Sequence, residues 1–161
     1  MKKILLCLLL TVGAVSADDT GFYLYGDIGI ADTDFATGPM VGLGGGFQIT
    51  EFVGVELGYN NFGETGPFDI DISSVSFAAT FGTTLSNGTF IHGIVGFEEL
   101  EADGRVNVGF GSINIDGSSN EPLFGIGARF GGDGSTSFRT RLISHDSGDL
   151  LTLTAGVEYR F

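Results

Sequence analysis

Apolar residues recur in this chain at every second position, rather than every third or fourth. Phe22, Leu24, Gly26, Ile28 and Ile30 alternate with Tyr23, Tyr25, Asp27 and Gly29. Val41, Leu43, Gly45, Phe47 and Ile49 alternate with glycines and Gln48; Val53, Val55, Leu57 and Tyr59 with Gly54, Glu56, Gly58 and Asn60; Val75, Phe77, Ala79 and Phe81 with Ser76, Ala78, Thr80 and Gly82. Further on, Ile91, Val95 and Phe97 oppose His92 and Glu98. Phe124, Ile126, Ala128 and Phe130 oppose Arg129 and two glycines, and Phe138, Thr140 and Leu142 oppose Arg139 and Arg141. The last run, Leu151 to Phe161, opposes Thr152, Thr154, Gly156, Glu158 and Arg160. A period of two is that of a strand, whose successive side chains point to opposite faces. Eight strands are predicted.

Each run is about 9–11 residues, the length of a tilted strand crossing a bilayer. The connectors alternate in length. Those after the second, fourth and sixth strands are short: Thr50-Glu51, Ser86-Asn87-Gly88, and Gly131 to Ser135. Those after the first and third are longer. The longest, about Leu100 to Glu121, contains RVNVGFGSINI and is expected to form a hairpin beyond the barrel. Short turns on one side and long loops on the other predict an all-β, eight-stranded antiparallel up-and-down transmembrane β-barrel over residues 18–161. An even strand count puts both termini at the short-turn, periplasmic end. A soluble barrel would show the same alternation. The loop asymmetry, the terminal aromatic and the leader favour the membrane.

That leader is MKKILLCLLLTVGAVSA: two lysines, an apolar run from Ile4 to Val15, and the small residues Ser16 and Ala17. It reads as a secretory signal peptide over residues 1–17. The run falls short of the ~20 residues a membrane helix needs. Its removal takes Cys7, the only cysteine, and with it any disulfide or thiolate ligand. It also takes both lysines, leaving five arginines against 20 acids and deepening a formal charge of −13. No nucleic-acid partner is expected at that charge.

Parity assigns the charges to the lumen, because Arg at the bilayer midplane costs about 2–4 kcal/mol on a barrel's lipid face. Asp27, Glu56, His92, Arg129, Arg139, Arg141, Glu158 and Arg160 are therefore expected inside. Counted from the short turns, Glu56, His92, Arg129, Arg141 and Glu158 could share one layer, subject to strand stagger. A dry Glu56 needs an arginine partner. The lumen ion-pair network is expected to comprise Glu56, Arg129, Arg141, His92, Asp27 and Glu158.

The segments GLGGGFQITEFVGVELGY, VSFAATFGTTLSNGTFIHGIVGFE, PLFGIGARF, FRTRLISHDSGD and LTAGVEYRF resemble, in order and spacing, the OmpA-like transmembrane domain family. The resemblance covers essentially the whole chain after the leader. It implies a Gram-negative outer-membrane barrel that assembles through the barrel-assembly machinery. Val157, Tyr159 and Phe161 match the terminal strand that this machinery reads. Many relatives carry a following peptidoglycan-binding domain; none is expected here, and a monomer is. The resemblance also implies that Glu56 and Arg141 match a lumenal ion-pair gate. Two departures bear on it: Thr80 stands where the family has a lysine, and Arg129 stands where it has an acid. Arg129 is then the candidate switching partner, or there is no switch.

A structural barrel with a polar, plugged lumen is the function expected, in contact with outer-membrane lipid and lipopolysaccharide. A narrow gated pore is one alternative. The other is lipid A deacylation, for which His145-Asp146-Ser147 has the His-x-Ser spacing but Gly148 replaces the expected Asn. His145 itself is expected at the strand's outer end beside a loop, and no enzyme is expected. The remaining acids crowd the long loops without the spacing of a calcium loop. Neither a metal site nor a cofactor fingerprint is found.

Overall fold

The computed structural model describes residues 20–33, 37–64, 69–108, 111–131, 134–145 and 148–161. The expected leader, Asp146 and Ser147 lie outside these residues. Eight strands follow one another: β1 (Gly21–Thr33), β2 (Thr37–Gln48), β3 (Val53–Glu64), β4 (Asp69–Thr84), β5 (Phe90–Val108), β6 (Gly111–Phe130), β7 (Thr136–His145) and β8 (Leu150–Arg160). Each pairs antiparallel with its sequence neighbour, and β8 returns to β1, from Tyr23↔Arg160 to Thr33↔Leu150. Closure leaves no open edge along that seam.

Alternation separates the two faces of the wall. Outward residues such as Ile28, Leu43, Phe97 and Phe138 are among the most exposed in the molecule, at 62–72%. Inward residues are buried and largely polar: Asp27, Glu56, Thr80, Arg139, Thr152 and Glu158 are all at most 6% exposed. In water such an exterior would be costly, at roughly 25 cal/mol per Å² of apolar surface. In a bilayer it is the matching surface.

The short turns have local causes. Gly88 takes a positive φ of 81°, and its N–H bonds Leu85 O at 2.9 Å while the Asn87 side chain accepts from Thr89 N at 3.1 Å. Thr50 Oγ1 accepts from the N–H groups of Phe52 and Val53, and Ile49 N–H bonds Val53 O at 2.8 Å.

The long connector after the fifth strand is ladder throughout its described residues. β5 and β6 stay paired from Phe90↔Arg129 to Val108↔Gly111. Pairing of β6 with β7 stops at Phe124↔Ser144, so this hairpin rises past β7. β7 itself runs on to His145.

Candidate functional site

The lumen is filled in tiers. Nearest the short turns lies a network of Arg129, Arg139, Arg141 and Arg160 with Asp27, Glu56 and Glu158. Strand order explains the convergence. Ser137, Arg139, Arg141, Ile143 and His145 climb β7 at every second position, and Thr154, Gly156, Glu158 and Arg160 descend β8 beside them.

Arg139 is the hub. Its Nη2 donates to both oxygens of Glu56 at 3.3 and 3.2 Å, its Nη1 donates to Glu158 Oε2 at 3.3 Å, and its Nε lies 3.6 Å from Asp27 Oδ1. Arg141 donates through Nη1 to Glu56 Oε2 at 3.0 Å and through Nη2 to Asp27 Oδ2. Tyr23 adds a hydroxyl to Glu56 Oε1 at 2.9 Å. The Tyr25 ring carries Arg139 on its face, 3.9 Å from the centroid, with Arg141 at 4.8 Å. At the rim, Glu158 Oε1 accepts from Arg129 Nη1 at 3.2 Å and Arg160 Nε at 2.9 Å.

Two glycines make room for the tyrosines. A Cβ on Gly44 would lie 2.5 Å from Tyr25 Cζ, and one on Gly46 2.4 Å from Tyr23 Cζ. The rings are the register partners of these glycines, Tyr25↔Gly44 and Tyr23↔Gly46. The glycine run of β2 is thus a recess in the inner wall.

Above the charges sits an apolar tier of Ala78, Ile94, Leu123 and Ile143. A cavity of about 10 Å³ between Glu56, Arg141 and this tier has room for roughly one water. Higher still, His145 bridges strands: its Nδ1 lies 2.6 Å from Glu98 Oε1 and its Nε2 3.0 Å from Thr152 Oγ1. Phe62 meets its ring edge-on at 5.3 Å, and Phe62, Ala31, Met40 and Leu150 form a second apolar cluster.

The sequence-predicted residues are thus distributed as follows. Glu56, Arg141 and Asp27 meet directly. Arg129 pairs with Glu158 and not with Glu56, so the expected switching partner is displaced by Arg139. His92 joins none of the network's hydrogen bonds among the described residues; it stacks on Phe90 at 5.4 Å and its Nδ1 is buried without a partner. Val157, Tyr159 and Phe161 face outward, and the rings of Tyr159 and Phe161 pack T-shaped at 5.1 Å. His145 stands at the outer end of β7, as expected, and its side chain is turned into the lumen at 1% exposure. The Glu98–His145–Thr152 bridge was not foreseen, although Glu98 shares the parity of His92.

The family of outer membrane protein β-barrel domains matches residues 4–161. No curated protein matches the chain. Among solved structures, the N-terminal β-barrel domain of Pseudomonas aeruginosa OprF is similar with a TM-score of 0.69 at 12% identity, covering 88% of this chain and 99% of that one. Neisserial surface protein A is similar with a TM-score of 0.62 at 14% identity, covering 91% and 100%. Ail of Yersinia pestis, solved with the heparin analogue sucrose octasulfate, has a TM-score of 0.59 at 16% identity, covering 88% and 97%. At these identities the likeness is one of fold.

Proposed function

Because the chain belongs to the family of outer membrane protein β-barrel domains, we propose that it is a structural outer-membrane protein whose lumen is plugged by its own side chains. The supporting observation is the Arg139 hub: one buried guanidinium ties Asp27, Glu56 and Glu158 across β1, β3 and β8. An eight-stranded barrel is only wide enough to be filled from within, and the apolar tier above the charges adds a barrier to hydrated ions.

In this reading residues 1–17 are a leader, the short turns and both termini are periplasmic, and the acidic loops face outward among lipopolysaccharide in a Gram-negative cell. The outward face of β8, with Val157, Tyr159 and Phe161, is offered to the barrel-assembly machinery, and the protein works as a monomer. Hydrolysis of lipid A is not part of the proposal. His145 has both ring nitrogens engaged, by Glu98 and Thr152, which leaves neither to activate a serine.

One arrangement favours a gate as the second reading. Glu56 Oε2 takes bonds from both Arg139 and Arg141, so the carboxylate has two alternative holders on one strand. Single-channel recording in planar bilayers separates the two. A plug gives near-zero conductance for the parent protein and for Glu56→Ala alike. Discrete openings in the parent, altered by Glu56→Ala, would establish the gate instead.

A further inference from the structure

Among the described residues, the lower tier does not balance its charge. Arg129, Arg139, Arg141 and Arg160 there pair only with Asp27, Glu56 and Glu158. The imbalance is concentrated at the rim. Glu158 there serves Arg129, Arg139 and Arg160, the first and last on the same oxygen. Arg129 and Arg139 are also direct cross-strand partners on one face, a placement in which like charges repel.

Unused donors lie in the same place. Arg160 Nη2 is buried with no hydrogen-bond partner among the described residues. So is the hydroxyl of Ser137, a residue 4% exposed that is the cross-strand partner of Glu158. Buried donors are ordinarily satisfied, and a native exception calls for a partner. The side chains of Arg129 and Arg160 are 17% and 25% exposed, so this end of the lumen is reachable from the short-turn side.

We propose that the short-turn mouth of the barrel is a binding site for a small oxyanion of phosphate or carboxylate type, held by Arg129, Arg160 and the Ser137 hydroxyl. Such an anion supplies the missing negative charge and accepts from both unused donors. Guanidinium forks suit it, since their paired N–H groups match the oxygen spacing of phosphate and carboxylate. The site does not depend on whether the lumen conducts.

The test uses the folded barrel in uncharged, phosphate-free maltoside micelles. Inorganic phosphate is titrated while the arginine Nε–H resonances are followed by NMR, with calorimetry for affinity. Saturable one-to-one binding is expected, with a dissociation constant of about 1 mM or tighter, shifting the Arg129 and Arg160 signals. Arg160→Gln should weaken binding about tenfold, or ~1.4 kcal/mol. Arg105→Gln removes the same charge elsewhere on β5 and should leave binding intact. Glu158→Gln should tighten it, a gain that misfolding does not produce. A parallel arm adds phosphatidylglycerol instead of free phosphate. Response to the lipid alone, absence of saturation with phosphate, or equal losses in Arg160→Gln and Arg105→Gln overturns the proposal.

Discussion

Replacing Arg139 by Met keeps the volume of the aliphatic stem and removes the guanidinium. Glu56 then retains Arg141 and Tyr23, Asp27 retains Arg141, and Glu158 retains Arg129 and Arg160. Three carboxylates each lose one buried charge-assisted contact, and Tyr25 loses the cation on its face. Removing one partner from a buried ionic cluster costs about 3–5 kcal/mol. That corresponds to about two to four orders of magnitude in the unfolding equilibrium. Arg129→Met provides the comparison. It too leaves three arginines against three acids, but among the described residues Arg129 pairs with Glu158 alone among the acids, lies over the Phe90 ring and stands at the more open rim, where an ion pair contributes about 0–1 kcal/mol. The two variants are therefore equal in charge and different in place. The assay is equilibrium unfolding by urea from lipid vesicles, followed by the heat-dependent shift in electrophoretic mobility and by circular dichroism, since the chain has no tryptophan. A large loss for Arg139→Met and a small one for Arg129→Met is expected. Equal losses, or less than about 1 kcal/mol for Arg139→Met, would mean that water replaces the guanidinium freely. The lumen would then be wet, and the plug would fail.

Three further outcomes follow from the same geometry. Gly46→Ala sets a Cβ 2.4 Å from Tyr23 Cζ and 2.6 Å from Val55 O; it should cost about 1–3 kcal/mol in the same unfolding assay, and a neutral result would refute the recess. His145→Ala leaves Glu98 buried without its partner and should cost about 3 kcal/mol, with faster amide exchange at the upper ends of β5, β7 and β8. Ile126→Arg, at an outward position 62% exposed, should lose about 2–4 kcal/mol in vesicles; no loss there would place that face in water.

Much of the fold was legible because a strand wall between lipid and lumen writes its period into the chain without interruption. The leucine, phenylalanine and valine sets fixed the outward face, and Asn87-Gly88 marked its hairpin. Counting residues up from the turns placed Glu56 and Arg141 in one layer, and the family resemblance implied their pairing. The hub was not legible by that count. Arg139 and Arg141 share parity, and deciding which one reaches Glu158 as well as Glu56 requires the stagger between β3, β7 and β8, which no single strand carries. Arg129 was a candidate partner for Glu56 through its departure from the family pattern, with no switch as the alternative; it pairs with Glu158. The inward contacts of His145 with Glu98 and Thr152 were missed for a different reason: polar residues at a strand's outer end look alike whether they face the lumen or a loop. The Leu100–Glu121 stretch was partly missed likewise, since glycines and acids mask a ladder that backbone pairing sustains.

The separation of faces also determines where such a chain can vary. Acyl chains are fluid and have no fixed contour, so an outward site poses a single question: apolar or not. Leu, Ile, Val and Phe answer it equally well. An inward site such as Arg139 or Gly46 must specify size, charge, direction and partner at once. Most of the information in this sequence therefore resides in its polar and glycine positions. Substitutions should drift freely where the protein is most hydrophobic and stall where it is most polar, the reverse of a water-soluble domain, whose greasy interior is the part that cannot drift.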